Sequence, residues 1–183
     1  MRRKQSESPQ HPVPNLVVET LSSGTFDLSK DAPGYATLVV FYRGFHCPIC
    51  VSYLKELGRL TPEFLAKGVK TIAVSSDDKN NAIKMAEKVA YPDLRIGYNL
   101  PLQVAKEWGL YLSSGHGATS VGIEEPILFS EPGVFLVRND STLYFAIVQT
   151  MPFVRPHFKE MIGALEFVQE NDYPARGEYI GSV

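Results

Sequence analysis

Cysteine is scarce in this chain, with two in 183 residues. That excludes the disulfide-dense scaffolds of small secreted domains. An excess of one charge is missing too: Lys plus Arg number 18 and Asp plus Glu 20, a formal net charge of −2. With no basic surplus to neutralise phosphates, nucleic acid is not expected as the main partner. Long hydrophobic runs are absent. Segments such as Leu38–Tyr42 stop far short of the roughly 20 residues of a membrane helix, so no membrane association is expected. The start, Met1-Arg2-Arg3-Lys4, is basic, but no apolar segment follows it. A secretory signal is therefore not expected, and the reading is a cytoplasmic protein.

What is present suits a globular fold. Hydrophobic residues make up 44% and charged residues 21%, ordinary values for one packed domain of this length. Residues 1–14 are polar and proline-bearing and read as a flexible tail, 15–171 as a single domain, and 172–183 as a C-terminal tail. Leu16–Thr20 and Thr25–Leu28 flank Ser22-Ser23-Gly24 and read as a hairpin. Ala36–Tyr42 is continuously apolar and β-rich, the pattern of a strand buried on both faces.

Leu54, Leu57 and Leu60 then recur at helical spacing. Pro62 is expected to break or kink that helix, with Thr61 as a new N-cap, and Gly68 to end it. Val69–Val74 is a second buried strand, closed by capping residues in Ser75-Ser76-Asp77-Asp78. Ala82, Met85, Ala86 and Val89 mark a helix stripe. Leu94–Tyr98 is a short strand, and Pro101 opens a short helix through Trp108.

Ser113–Glu131 reads as a loop or irregular hairpin, a wall of the active site or a dimer contact. Val134–Val137 and Thr142–Val148 form a hairpin across Arg138–Ser141. Pro156 opens a last helix with stripe Phe158, Met161, Ile162, Leu165 and Val168. Right-handed crossovers make the first strands parallel and the late hairpin adds antiparallel ones. The fold class is α/β, a mixed central sheet flanked by helices.

Both cysteines sit in Arg43-Gly44-Phe45-His46-Cys47-Pro48-Ile49-Cys50, between a buried strand and a helix start. A residue at a helix N-terminus faces unsatisfied N–H groups and the positive end of the helix dipole. Both favour thiolate, so Cys47 is the expected nucleophile. Cys50 lies nearly one turn on, within the ~4.4–6.8 Å Cα separation that a disulfide tolerates. Pro48 suits the first helical turn. Two other readings stay open: a pair of buried structural thiols, or half of a zinc site completed by His46, His116 or His157. No cofactor and no resident metal are expected under the redox reading. Arg43 is either a tuning cation or a solvated strand-end arginine, and His46 either favours the thiolate or caps the site with its ring. Trp108 and Phe129 read as ordinary aromatics.

Three stretches resemble one family. Val39–Cys50 looks like the strand and redox turn, Leu57–Asp78 like the next helix and strand, and Glu131–Val137 like a later strand, of the AhpC/TSA (peroxiredoxin-like) family in the thioredoxin-fold superfamily, in its Cys-x-x-Cys branch. The resemblance covers roughly residues 14–170. It implies a thioredoxin-like fold with an N-terminal hairpin and a peroxiredoxin-type insertion, and a thiol-dependent antioxidant oxidoreductase. Cys47 matches the attacking cysteine and Cys50 the resolving one. Pro132 matches the cis-proline that packs against the redox pair, and Arg155 the active-site arginine. Implied partners are a peroxide or disulfide substrate and a thioredoxin- or glutathione-type reductant, with a homodimer among the assemblies open to it. One departure stands out. The family pattern Pro-x-x-x-Thr/Ser-x-x-Cys has Val40 and Gly44 here, so the hydroxyl that holds the peroxide is missing. That favours disulfide exchange, whereas the family favours peroxide.

Overall fold

The computed structural model describes residues 8–31 and 33–182. A hairpin, β1 (Val17–Thr20) and β2 (Gly24–Asp27), comes first, then β3 (Ala36–Phe41) and the long helix α1 (Pro48–Ala66). β4 (Val69–Val74), α2 (Lys79–Val89), β5 (Arg95–Tyr98) and α3 (Leu102–Glu107) follow. A short ribbon, β6 (Leu112–Ser114) and β7 (Leu128–Ser130), precedes β8 (Gly133–Arg138), β9 (Leu143–Val148) and α4 (Phe158–Glu170). The central sheet has seven strands in the order β2-β1-β5-β4-β3-β8-β9. β3, β4 and β5 run parallel, whereas β8 and β9 are antiparallel additions on one side and the leading hairpin on the other.

The alternation of β3 explains its unbroken apolar sequence. Ala36, Leu38, Val40 and Tyr42 face a core shared with α1, α2 and α4, while Val39 and Phe41 face a second core holding α3 and Trp108. In that second core Phe135 packs edge-on against Phe41 and Trp108, which are tilted to each other, with ring centroids 5.0–5.6 Å apart. Helices thus cover both faces of a mixed sheet, as expected.

Three local readings differ. Pro62 does not break α1, which runs from Pro48 through Ala66. Leu57, Leu60 and Phe64 lie on both sides of it and are at most 1% exposed. At ~1.5–3 kcal/mol for each large side chain, burial of the three together exceeds the ~3 kcal/mol proline penalty. Thr61 caps nothing: its hydroxyl donates to the Leu57 carbonyl at 3.0 Å and pairs with Thr71. Gly68, with φ +72°, ends the helix as expected. In the Ser75–Asp78 cluster only Asp78 caps α2, accepting from Asn81 N–H at 2.8 Å.

The tails also differ where the structure describes them; residues 1–7 and 183 lie outside the described residues. From Ser8 onward the N-terminal segment is fastened along the β8–β9 hairpin, with Gln10 N–H on Leu143 O and Val13 N–H on Ser141 O. Tyr144 donates to Tyr173 O at 2.9 Å and Gln10 to Ala175 O at 3.0 Å, so the chain just past α4 packs against the sheet and buries Ala175.

Candidate active site

The buried strand β3 ends at Phe41, and the chain then turns through Tyr42–His46 into α1. Cys47 is the N-cap, with φ −97° and ψ 104°. The extended conformation is what a residue before proline prefers, so Pro48 helps to set this boundary. Cys50 N–H and Val51 N–H both reach Cys47 O, at 3.1 and 3.4 Å, closing the first turn. Both thiols are free, and they are 2% and 0% exposed.

The two sulfurs are polarised in opposite directions. A hydrogen bond from the Cys50 thiol, with the charges of Arg43 and Arg155 behind it, brings Cys47 down from an ordinary 9.0 to about 6 against the cost of burial. Burial and the neighbouring Cys47 thiolate push Cys50 well up. One turn therefore holds a thiol that ionises readily beside one that stays protonated.

Arg155 comes from the loop between β9 and α4. Its Nη2 donates to Cys50 Sγ at 3.4 Å and its Nε to Pro152 O at 2.8 Å. The guanidinium lies 5.4 Å over the Tyr53 ring, and Tyr53 donates to Pro156 O at 2.8 Å, which ties this loop to α1. Arg155 Nη1 is buried without a partner. Pro132 stands just before β8, and its carbonyl accepts from Gln149 N–H at 3.2 Å. The expectation of a cis bond there fails, since no cis peptide occurs among the described residues. The bond to Gln149 continues the β8–β9 ladder directly into Pro132, and this regular extended entry is made with a trans peptide.

Arg43 points to the β6–β7 ribbon. Its Nη2 meets Glu125 Oε1 at 3.1 Å and its Nε meets Glu131 Oε2 at 3.3 Å. The guanidinium lies 4.6 Å over the Phe129 ring. It is thus a largely buried, paired cation, not a solvated one. His46 packs on the same ring, 4.7 Å between centroids, with both nitrogens buried and unpartnered. Burial, and then Arg43, lower it to about 4, so the imidazole is neutral near pH 7 and its ring caps the site. The Ser113–Glu131 segment forms a wall of this site, and Phe129 is part of it.

Asp77 does not cap a helix, contrary to the expectation for its cluster; its carboxylate faces the redox turn. Oδ2 accepts from Phe45 N–H at 2.7 Å. Burial raises Asp77 from 3.8 to about 6. A Cβ on Gly44 would lie 2.6 Å from Asp77 Oδ1 and 2.9 Å from His46 Nδ1, and φ there is +142°. The position where the family pattern carries a hydroxyl is therefore filled by a carboxylate and an imidazole and requires glycine. Tyr42, buried beside this cluster with an unpartnered hydroxyl, is pushed up by burial and by the Asp77 charge.

Among the described residues, no group of three or more His, Cys, Asp and Glu side chains is placed to hold a metal, and no helix is long and apolar enough to cross a membrane. Two clefts of about 430 and 440 Å³ lie elsewhere, one between the leading hairpin and α2 and the other between β9 and α4. Neither touches the cysteines.

Among solved structures, the chain is similar to peroxiredoxin 6 of Arenicola marina (18% identity, TM-score 0.74, covering 90% of this chain and 74% of that one). It is also similar to Enterococcus faecalis AhpC (14%, TM-score 0.70, 94% and 98%). A third likeness is to the yeast mitochondrial 1-Cys peroxiredoxin (15%, TM-score 0.71, 94% and 78%). No curated protein matches. The AhpC/TSA family profile matches residues 9–146. That span holds the sheet as far as Ala146 in β9, both cysteines and the ribbon that walls them, and the chain belongs to the AhpC/TSA family.

Proposed function

We propose that this protein reduces a peroxide at Cys47 and resolves through Cys50. The carrying observation is the opposite polarisation of two thiols in one helical turn, a thiolate lowered to about 6 beside a thiol raised well above its ordinary value. The Cys47 thiolate attacks one peroxide oxygen, the O–O bond breaks, an alcohol or water leaves, and Cys47 becomes the sulfenic acid. The Cys50 sulfur displaces that hydroxyl as water and forms the Cys47–Cys50 disulfide. An external dithiol of the thioredoxin type, or two glutathione-type thiols, then reduces the disulfide, is itself oxidised to a disulfide, and restores both thiols. The structure of the yeast relative is described in terms of resolution through the glutathione and thioredoxin systems. A reducing compartment such as the cytoplasm suits this cycle.

Two features support peroxide as the oxidant. Cys47 is 2% exposed, which a small molecule reaches more readily than a protein disulfide. Arg155 keeps one buried N–H donor free beside the pair, suited to an oxygen that gains negative charge. The contrary reading, disulfide exchange, rests on Gly44 where the family carries a hydroxyl.

Stopped-flow oxidation of the reduced protein by hydrogen peroxide separates them. Oxidation much faster than that of a free thiol, ending in an intramolecular disulfide, is expected. A rate equal to that of free cysteine would refute the peroxidase reading. Cys50→Ser should still be oxidised but stop at the sulfenic acid, and Cys47→Ser should not turn over.

A further inference from the structure

Arg43 carries the one strong charge of the redox turn itself, yet two carboxylates hold its guanidinium at 3.1 and 3.3 Å. Glu125, 82 residues away in sequence, comes from the loop that joins β6 to β7, and Glu131 directly follows β7 at the base of the ribbon. The ribbon fixes them in turn. Glu125 Oε2 accepts from His116 N–H at 2.9 Å, and Glu131 Oε1 accepts from Ser113 Oγ at 2.6 Å. Phe129, between them in sequence, supports the guanidinium from its face. Side-chain exposure is 16% for Arg43, 11% for Glu125 and 6% for Glu131, so water screens this cluster weakly.

We propose that Glu125 and Glu131 are positioning residues for the reaction, which set the reactivity of Cys47 by fixing Arg43 on the ribbon and offsetting its charge. The proposal rests on the reading of Cys47 as the nucleophile. One cation held by two anions carries a net −1, so the cluster favours the thiolate less than a bare arginine would. Removing one carboxylate while the other and Phe129 still hold the guanidinium leaves the cluster neutral and makes the net potential at the sulfur more positive. The ribbon is thereby a control element. Whatever draws Glu125 away from Arg43 makes Cys47 more reactive, and whatever tightens the clamp makes it less so. The other ionisable groups around the sulfur are Cys50 and Arg155, on α1 and on the β9–α4 loop, and neither belongs to the clamp. His46 is the remaining neighbour and stays uncharged in the working range.

The test is a titration of thiolate ultraviolet absorbance in the reduced full-length protein. Cys50 ionises far higher, so the low-pH transition belongs to Cys47, and it is read whether or not any peroxide is turned over. Glu125→Gln should lower the midpoint by on the order of half a pH unit, and Glu131→Gln should move it the same way. Arg43→Gln should raise it. In the Arg43→Gln background, Glu125→Gln should lose most of its effect, because without the guanidinium the carboxylate is no longer held toward the redox turn and turns to solvent. Near-ultraviolet circular dichroism reports folding; Glu125 is the less buried of the two carboxylates and carries the test if Glu131→Gln does not fold. A midpoint that is unchanged or raised in Glu125→Gln overturns the proposal. So does an undiminished change in the Arg43→Gln background, which would mean that Glu125 acts on the sulfur without the Arg43 clamp.

Discussion

Replacing Asp77 with Asn should make the protein more sensitive to acid, although it removes a buried charge. The reason is a balance between two groups on opposite sides of Gly44. Asp77 has an ordinary value of 3.8 and sits at about 6 in the fold. Between those values the folded state holds a proton that the unfolded state has lost, so stability rises as pH falls through the folded value. His46 does the opposite. Its ordinary value is 6.5 and its folded value about 4, so across that interval the unfolded state takes a proton that the folded state refuses, and stability falls on acidification. Each pH unit that separates a folded value from its ordinary one corresponds to ~1.4 kcal/mol. With allowance for partial solvent screening, each group contributes roughly 2–3 kcal/mol over its interval, and between about pH 4 and 6 the two slopes nearly cancel.

Asp77→Asn keeps an oxygen for the Phe45 N–H and removes only the titration. Urea unfolding of the reduced protein, followed by the fluorescence of the single tryptophan, Trp108, should then show about 2 kcal/mol more loss than the parent between pH 6.5 and 4.5. His46→Phe forfeits no hydrogen bond, since neither ring nitrogen has one, and should shift the profile the other way. The double variant should restore the parent profile. Other carboxylates and Cys47 titrate in parent and variants alike and drop out of the differences. An Asp77→Asn profile parallel to the parent's would refute the reasoning, because the buried carboxylate would then be titrating as it does in water.

Further predictions concern the same turn and its support. Gly44→Thr should not install a working hydroxyl: with φ +142° and a Cβ 2.6 Å from Asp77 Oδ1, it should cost about 2 kcal/mol or more, seen as a Tm lowered by several degrees, and an unchanged Tm would contradict the geometry. Arg155→Gln removes a cation whose field favours both thiolates; the Cys47 midpoint should move above about 6, and the peroxide reaction near pH 6 should slow in proportion. Away from the site, Arg95 grips Asp31 with two bonds of 2.6 and 3.0 Å, and Arg95→Gln should cost roughly 3 kcal/mol in urea unfolding, because the carboxylate stays buried without its main partner.

The parts legible in the sequence are those that local pattern determines. β3 is readable because six consecutive buried residues need an apolar run, and α2 because its stripe repeats at helical spacing. The cysteine pair is readable because strand, turn, proline and helix are contiguous. Pro62 misleads because the propensity rule is local, whereas the apolar face that holds α1 together spans both sides of the proline. Asp77 and Asp78 are indistinguishable as letters; only the fold decides that one caps a helix and the other turns inward to Phe45. The pairing of Glu125 and Glu131 with Arg43 carries no signal, because a cation 82 residues away from the first and further from the second leaves no periodicity or spacing to find.

The departure at Gly44 shows how such non-local pairing alters the meaning of a motif. Read along the chain, a missing hydroxyl three residues before the nucleophile argues for a weakened peroxide site. In the fold, the volume that a side chain at 44 would need is already taken by Asp77 Oδ1 and His46 Nδ1. The carboxylate holds the Phe45 N–H, so the segment between β4 and α2 fastens the turn in addition to its own Cys47 N–H to Gly44 O bond. What holds the cysteine loop and what would meet the oxidant are therefore separate groups here. Asp77 does the first, and under the proposed peroxide reaction the free Arg155 N–H serves the second. On this division of labour, Asp77→Asn should leave the peroxide reaction near pH 7 largely intact while changing the acid stability, and Arg155→Gln should do the reverse. Loss of peroxide reactivity in Asp77→Asn with the fold preserved would show instead that the carboxylate itself serves the oxidant.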